Sequence, residues 1–412
     1  MGGAPAVATP MGGAGDAAFR RALWGETGMS RGELATNAMS LAEGLGAASA
    51  PSAGGGAGGA GAVSPFSTKL FPTPFAPSAA HNARLASALA TVRGGLSAPR
   101  KAELDKAALL VARLTPAGTM EYAGVHEQDM YFSGSLLKVT LLYASFELVA
   151  RVNAVAPSIT AATEADFFAE LEKRFGPTVA GAIPNITPGP WTKVSWSQAL
   201  RAVPSGGGFK VEMNPTHKAA IERIFADQNQ NDAARDSMHR LGFSFVNGAL
   251  AAAGLYGTQT QRGIWMATDY IVDNPPGQNN WRSFNIPVVT GNGGTSSAAM
   301  TCVSMATLFA LIHRGELVGP AESGLMRGVV RRGGSWVTTL PNAGAMSFTD
   351  DGAKVGHSSS SSAGVGSVMS EAAFLIRTSD NAPFVAVWQN VPDALGAAPV
   401  FAVIDEVIKT WP

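Results

Sequence analysis

The 412-residue chain has a single cysteine, Cys302, so no disulfide can form within it, and export is neither demanded nor excluded. It has no excess charge of either sign: 30 basic residues face 30 acidic ones. Nucleic-acid binders and binders of anionic membranes carry a basic excess, so no nucleic-acid partner is expected. No apolar run of transmembrane length is evident. The amino terminus lacks a basic stretch followed by an apolar one, so no signal peptide is expected. The six histidines (His81, His126, His217, His239, His313 and His357) show no ligand spacing with one another or with Cys302. No metal site and no cofactor are therefore expected. Gly206-Gly-Gly and Gly291-Asn-Gly-Gly lack a following Lys-Ser/Thr and read as loops rather than phosphate cradles.

Glycine and alanine are plentiful, above all in the first hundred residues. Residues 1–16 are Gly/Ala/Pro-rich and expected to be disordered. Residues 17–47 have apolar positions compatible with helix, and 48–63 read as a flexible linker. Residues 65–80 hold four prolines and read as extended. The sequence thus divides into an extension, 1–80, and a domain, 81–412. In the domain, Ala107–Thr115 and Thr119–Val125 flank a Pro-Ala-Gly turn and predict a β-hairpin. Helices are predicted at 82–94, 135–151, 164–175, 217–227, 232–254, 297–315 and 398–410. Residues 183–216 read as an irregular insertion and 257–294 as a long polar loop. Asp351–Ser358, Ala372–Thr378 and Phe384–Asn390 read as strands. The fold class is α+β: one antiparallel sheet built from both chain ends (about 81–130 and 345–412), with a helical part inserted between them (about 131–344).

The stretch richest in chemistry is Ser135-Leu-Leu-Lys138 followed by the uncharged run Val139–Phe146. Residues three apart share a helix face, so hydroxyl and amine can meet. Lys138 is the only lysine with a serine three positions before it. It opens the most apolar helix of the chain, where a lysine serving only solvation is not expected. A desolvated amine can act as a base, and a helix start offers free N–H groups to negative charge. A nucleophile, an adjacent base and an anion-friendly turn are the parts of an acyl-transfer site. The bland alternative is an N-cap serine and a solvated first-turn lysine.

From about residue 82 onward, this layout resembles the serine β-lactamase and penicillin-binding superfamily, nearest to the class A β-lactamase type. The family carries S-x-x-K, then S-x-N, then K-T-G. The first is intact as Ser135-Leu-Leu-Lys138. Lys354-Val355-Gly356, followed by His357, resembles the third, with Val355 in place of the hydroxyl residue. The resemblance implies that Lys354 holds an anionic substrate group or tunes the proton relay, and that Gly356 lets substrate approach. The N–H groups of Ser135 and His357 would form the oxyanion hole. For the second motif the closest run is Asn229-Gln-Asn231, in which Asn231 would bond Lys138 or a substrate amide and Asn229 replaces the serine. Ser283-Phe-Asn285 is the alternative. Ser379-Asp-Asn381 comes after Lys354, the wrong order.

The family's deacylating glutamate has no counterpart between Asn231 and Ser297, where Asp269 and Asp273 are the acids of the long loop. The resemblance implies an acyl-enzyme on Ser135 with Lys138 as base, acting on a β-lactam, amide, peptide or ester, and a small-molecule or peptide as partner. Members of the family are bacterial and usually periplasmic or extracellular; for this chain the sequence alone assigns no location. The alternative is a non-catalytic binding or assembly protein that keeps the fold.

Overall fold

The computed structural model describes residues 64–67, 70–71, 74–182, 192–226, 230–257, 260, 262–266, 288–289, 295–296, 298–358 and 367–412. The expectations for residues 1–63 lie outside these.

Strand β1 (Phe75–Pro77) leads into helices α1 (Ala79–Gly94) and α2 (Ala98–Leu104), then into the hairpin β2 (Ala108–Arg113) and β3 (Met120–Val125). The chain's other end supplies β11 (Phe348–Ser358), β12 (Val368–Arg377), β13 (Pro383–Pro392) and helix α11 (Ala398–Thr410). One six-stranded sheet joins the two ends in the order β1-β3-β2-β13-β12-β11. Every pairing is antiparallel except β1 with β3, which run parallel. The sheet from both chain ends, with helices inserted between them, is the β-lactamase/transpeptidase-like arrangement expected from the sequence.

The packed region starts before residue 81. Phe66, Phe71 and Phe75 are buried, and Phe66 stacks on Phe245 with ring centroids 5.7 Å apart. Apolar surface, rather than proline content, decides where Phe66, Phe71 and Phe75 lie.

The sheet separates two cores. One face packs against α1 and α11 through residues such as Leu109, Val111, Trp388, Phe401 and Ile404. The other packs against the helical part through Leu110, Ala372, Phe374, Val385 and Val387. Alternation along the strands makes this possible, because successive side chains point to opposite faces.

At the centre of the helical part is α3 (Val139–Val155), in which every residue from Val139 to Leu148 is buried. Together with its flanking turns, Gly134–Ser158 is long and apolar enough to cross a membrane, contrary to the sequence expectation, but 72% of its most apolar stretch is buried inside the fold. Around it lie α4 (Glu164–Ala180), the short α5 (Trp196–Ala199), α6 (Pro215–Ala226), α7 (Asn231–Leu241) and α8 (Phe243–Ala252).

Three sequence expectations need correction. The expected irregular insertion contains a hairpin, β4 (Leu200–Ser205) and β5 (Gly208–Met213). Gly206 and Gly207 take φ of 59° and 86°, the left-handed turn that such hairpins need. The single helix expected at 232–254 is two, broken at Gly242 (φ 76°), where a Cβ would run into the Lys193 carbonyl. The helix expected from residue 297 begins at Cys302, capped by the Thr301 side chain, which accepts from Ser304 N. Ahead of it, Ala298–Met300 is strand.

Short strands complete this region: β6 (Tyr256–Gly257), β7 (Arg262–Met266), β8 (Val288–Val289), β9 (Thr295–Ser296) and β10 (Ala298–Met300). Helix α9 (Cys302–Arg314) ends, as expected, at Gly315 in the left-handed region, and α10 (Pro320–Val330) leads back to β11.

Candidate active site

Ser135 and Lys138 lie on a 3₁₀ turn, Gly134–Lys138, not on the α-helix expected; α3 begins only at Val139. In a 3₁₀ turn residues three apart eclipse one another, so the spacing of three stacks the two side chains on one edge. Lys138 is fully buried, whereas Ser135 is partly exposed at the rim. Lys138 Nζ donates to Asn231 Oδ1 at 2.7 Å and to the Gln230 carbonyl at 3.4 Å. Asn231 opens α7, so a helix start carries the acceptor to the lysine.

Edge strand β11 closes the other side of the turn. Lys354 pairs with Ala372 and is 1% exposed. Ala353 and Val355 pack on the face toward α1 and α11, so alternation turns Lys354 and Gly356 to the helical side. Two glycines let strand and turn touch. A Cβ on Gly356 would collide with the Ser133 carbonyl and Ser370 Oγ and lie 2.8 Å from Leu136 N. A Cβ on Gly134, which takes φ 55°, would lie 2.8 Å from the His357 carbonyl oxygen and 3.0 Å from its nitrogen. The His357 backbone is thus held against the residue before Ser135. Its ring points to the opposite face, with Nε2 2.8 Å from Asp393 Oδ2 and an edge contact to Trp336.

Ser135, Lys138, Asn231, Lys354, Gly356 and His357 therefore converge on one place. Asn229, Ser283, Asn285, Asp269, Asp273 and the serines 359–362 lie outside the described residues. Ser379 and Asn381 occupy the β12–β13 turn, at the far end of β12 from Ser370. Sequence reasoning missed the Gln230 carbonyl, which leaves no mark in a motif. It also missed Ser370, which sits beside Glu371 at the start of β12 and belongs to no motif.

Buried acids lie behind the site rather than in it. Glu371, opposite Val355, is fully buried; it accepts from Ser335 Oγ and from Trp336 N at 3.1 Å, and burial holds its carboxyl well above the ordinary value. Asp350, at the β11 bulge, is pushed up to about 6 by burial, with Asp351 adding to the effect. Burial also raises the Cys302 thiol, so it is no rival nucleophile.

No family model matches the chain, and no curated protein matches it. Solved structures do. The chain is similar to serine β-lactamases and penicillin-binding proteins. A β-lactamase from Sphaerobacter thermophilus is 11% identical, covering 79% of this chain and 96% of its own, with a TM-score of 0.43. An ancestral class A β-lactamase is 15% identical, covering 79% and 100%, with a TM-score of 0.41. The penicillin-binding protein PBP-A is 16% identical, covering 83% and 98%, with a TM-score of 0.41.

Proposed function

We propose that the protein is a serine hydrolase that forms an acyl-enzyme on Ser135. The observation that carries this reading is the fully buried Lys138, eclipsing Ser135 on a 3₁₀ turn and bonded to the amide oxygen of Asn231. A lysine sunk in an apolar helix start serves no solvation; next to a hydroxyl it serves proton transfer. The Lys138 amine takes the Ser135 proton, and Oγ attacks an amide, lactam or ester carbonyl. The oxyanion is received by the N–H groups of Ser135 and His357. The leaving group takes the proton back from Lys138, and water then releases the acyl group. Lys354, buried beside this turn, favours a substrate with a carboxylate. The partner is a small molecule or peptide presented along the outer edge of β11.

The test is intact-protein mass after incubation with a penicillin and with an activated ester. A covalent adduct, absent in Ser135→Ala, supports the reading. A folded protein that gives neither adduct nor turnover would show a scaffold kept for binding.

A further inference from the structure

Beneath the reactive turn is a buried polar network that the proposed chemistry does not use. Ser133, two residues before Ser135, is 1% exposed, and its Oγ donates to Gln389 Oε1 at 2.5 Å. Gln389 is fully buried on β13, and its Nε2 donates to the Met300 carbonyl at 3.0 Å and toward the Asp129 carbonyl at 3.4 Å. Met300 in turn exchanges two backbone bonds with Tyr131, each 3.0 Å. On the other side, Ser370 Oγ donates to the Ser133 carbonyl at 2.6 Å, and Ser370 pairs with Gly356.

We infer that Gln389 and Ser370 are positioning residues that act through Ser133 to fix the Ser135 turn against β11. The inference rests on the acyl-enzyme reading above. Two separate strands, β12 and β13, meet on the two polar atoms of Ser133, and β10 holds Gln389 from behind through the Met300 carbonyl. A buried amide and two buried hydroxyls carry a desolvation cost that an apolar filling would avoid. They offset it by setting direction: the Ser133 carbonyl is pinned where Gly356 leaves room, which aims the next two residues at His357. Reaction geometry tolerates little displacement, since misplacement by about 1 Å can cost about 100-fold in rate.

The experiment is the second-order rate of labelling by a fluorophosphonate probe, with thermal unfolding measured in parallel. Wild type must label and Ser135→Ala must not; if wild type does not label, the acyl-enzyme reading fails and this inference with it. Given labelling, Gln389→Met and Ser370→Ala are each expected to label about 10–100-fold more slowly, while both still unfold cooperatively. Gln389→Glu is the rescue: its neutral acid offers one acceptor and one donor in the same places. It should label near the wild-type rate at mildly acidic pH and lose rate as pH rises and the donor is lost. Should Gln389→Met fail to fold, Ser370→Ala and the pH profile of Gln389→Glu decide. Folded variants that label at the wild-type rate, or a Gln389→Glu profile parallel to wild type, would overturn the inference.

Discussion

Lys138 Nζ and Asn231 Oδ1 meet at 2.7 Å across 93 residues of sequence, joining the Ser135 turn to the start of α7. Asn231→Leu removes the acceptor and is expected to slow fluorophosphonate labelling of Ser135 by about 100-fold, the lower range for loss of general base catalysis. Asn231→Asp keeps the oxygen but adds a charge that holds the proton on the amine. It should also label slowly; undiminished labelling would count against an amine base.

Gly356→Ala tests the contact between strand and turn. The added methyl would occupy the space of the Ser133 carbonyl and Ser370 Oγ, both held by the fold. We expect a loss of about 1–3 kcal/mol in chemical denaturation, as for overpacked sites, together with loss of labelling. Gly94→Ala, in helix α1, where a Cβ meets nothing within 4 Å, is the control and should keep labelling and lose no stability.

A buried group and a half-buried one give the stability profile opposing slopes. Burial pulls His217 from 6.5 down to about 3; its Nε2 lies 2.9 Å from Ser145 Oγ. Its folded value is lower than the unfolded one, so the unfolded chain binds the extra proton, and stability is lost as pH falls below 6.5. Asp350 runs the other way, from 3.8 to about 6: the folded state keeps the proton, and stability is lost as pH rises from 3.8 through about 6. These carry at most about 5 and about 3 kcal/mol, at about 1.4 kcal/mol per pH unit. Denaturant unfolding against pH should show a flatter acid limb in His217→Gln. Asp350→Asn, which keeps the oxygen accepting from Gly352 N at 2.9 Å, should gain stability near neutrality. Unchanged slopes would refute the assignment.

Phe66→Ala should cost about 3–5 kcal/mol, the usual range for a buried phenylalanine, because the ring fills the space over Gly248 and stacks on Phe245. A change under about 1 kcal/mol by chemical denaturation would mean that Phe66 does not hold the helical part.

Much of the fold was legible because periodicity reports burial. The β2–β3 and β12–β13 hairpins, α6, α9 and α11 all follow from apolar spacing and turn residues. The β4–β5 hairpin was also written in the chain: Leu200, Ala202, Val211 and Met213 alternate inward on either side of the Gly206-Gly207 turn. The surrounding Pro and Trp residues masked it. Gly242 was hidden within an unbroken apolar pattern, because what breaks that helix is the Lys193 carbonyl, a tertiary contact. At the candidate site, Ser135 and Lys138 stood out by their spacing of three, and Lys354 by resemblance to the family's third motif. The 3₁₀ form of the turn, the Gln230 carbonyl and the Ser133–Gln389 bond depend on backbone paths that no local pattern encodes.

The order in which the ribosome delivers these parts has a consequence for biosynthesis. Ser133 is made well before its partners Ser370 and Gln389, which lie 237 and 256 residues downstream. Arg377 Nη1 donates to the Ile408 and Trp411 carbonyls, and Trp411 stacks on His81 at 3.7 Å, so the final residues also lock onto the first described helix. Sheet pairings between such distant segments close large loops and form slowly. Under the acyl-enzyme reading, a polypeptide in which β12 and β13 have not yet paired lacks the two side chains that hold the Ser133 turn.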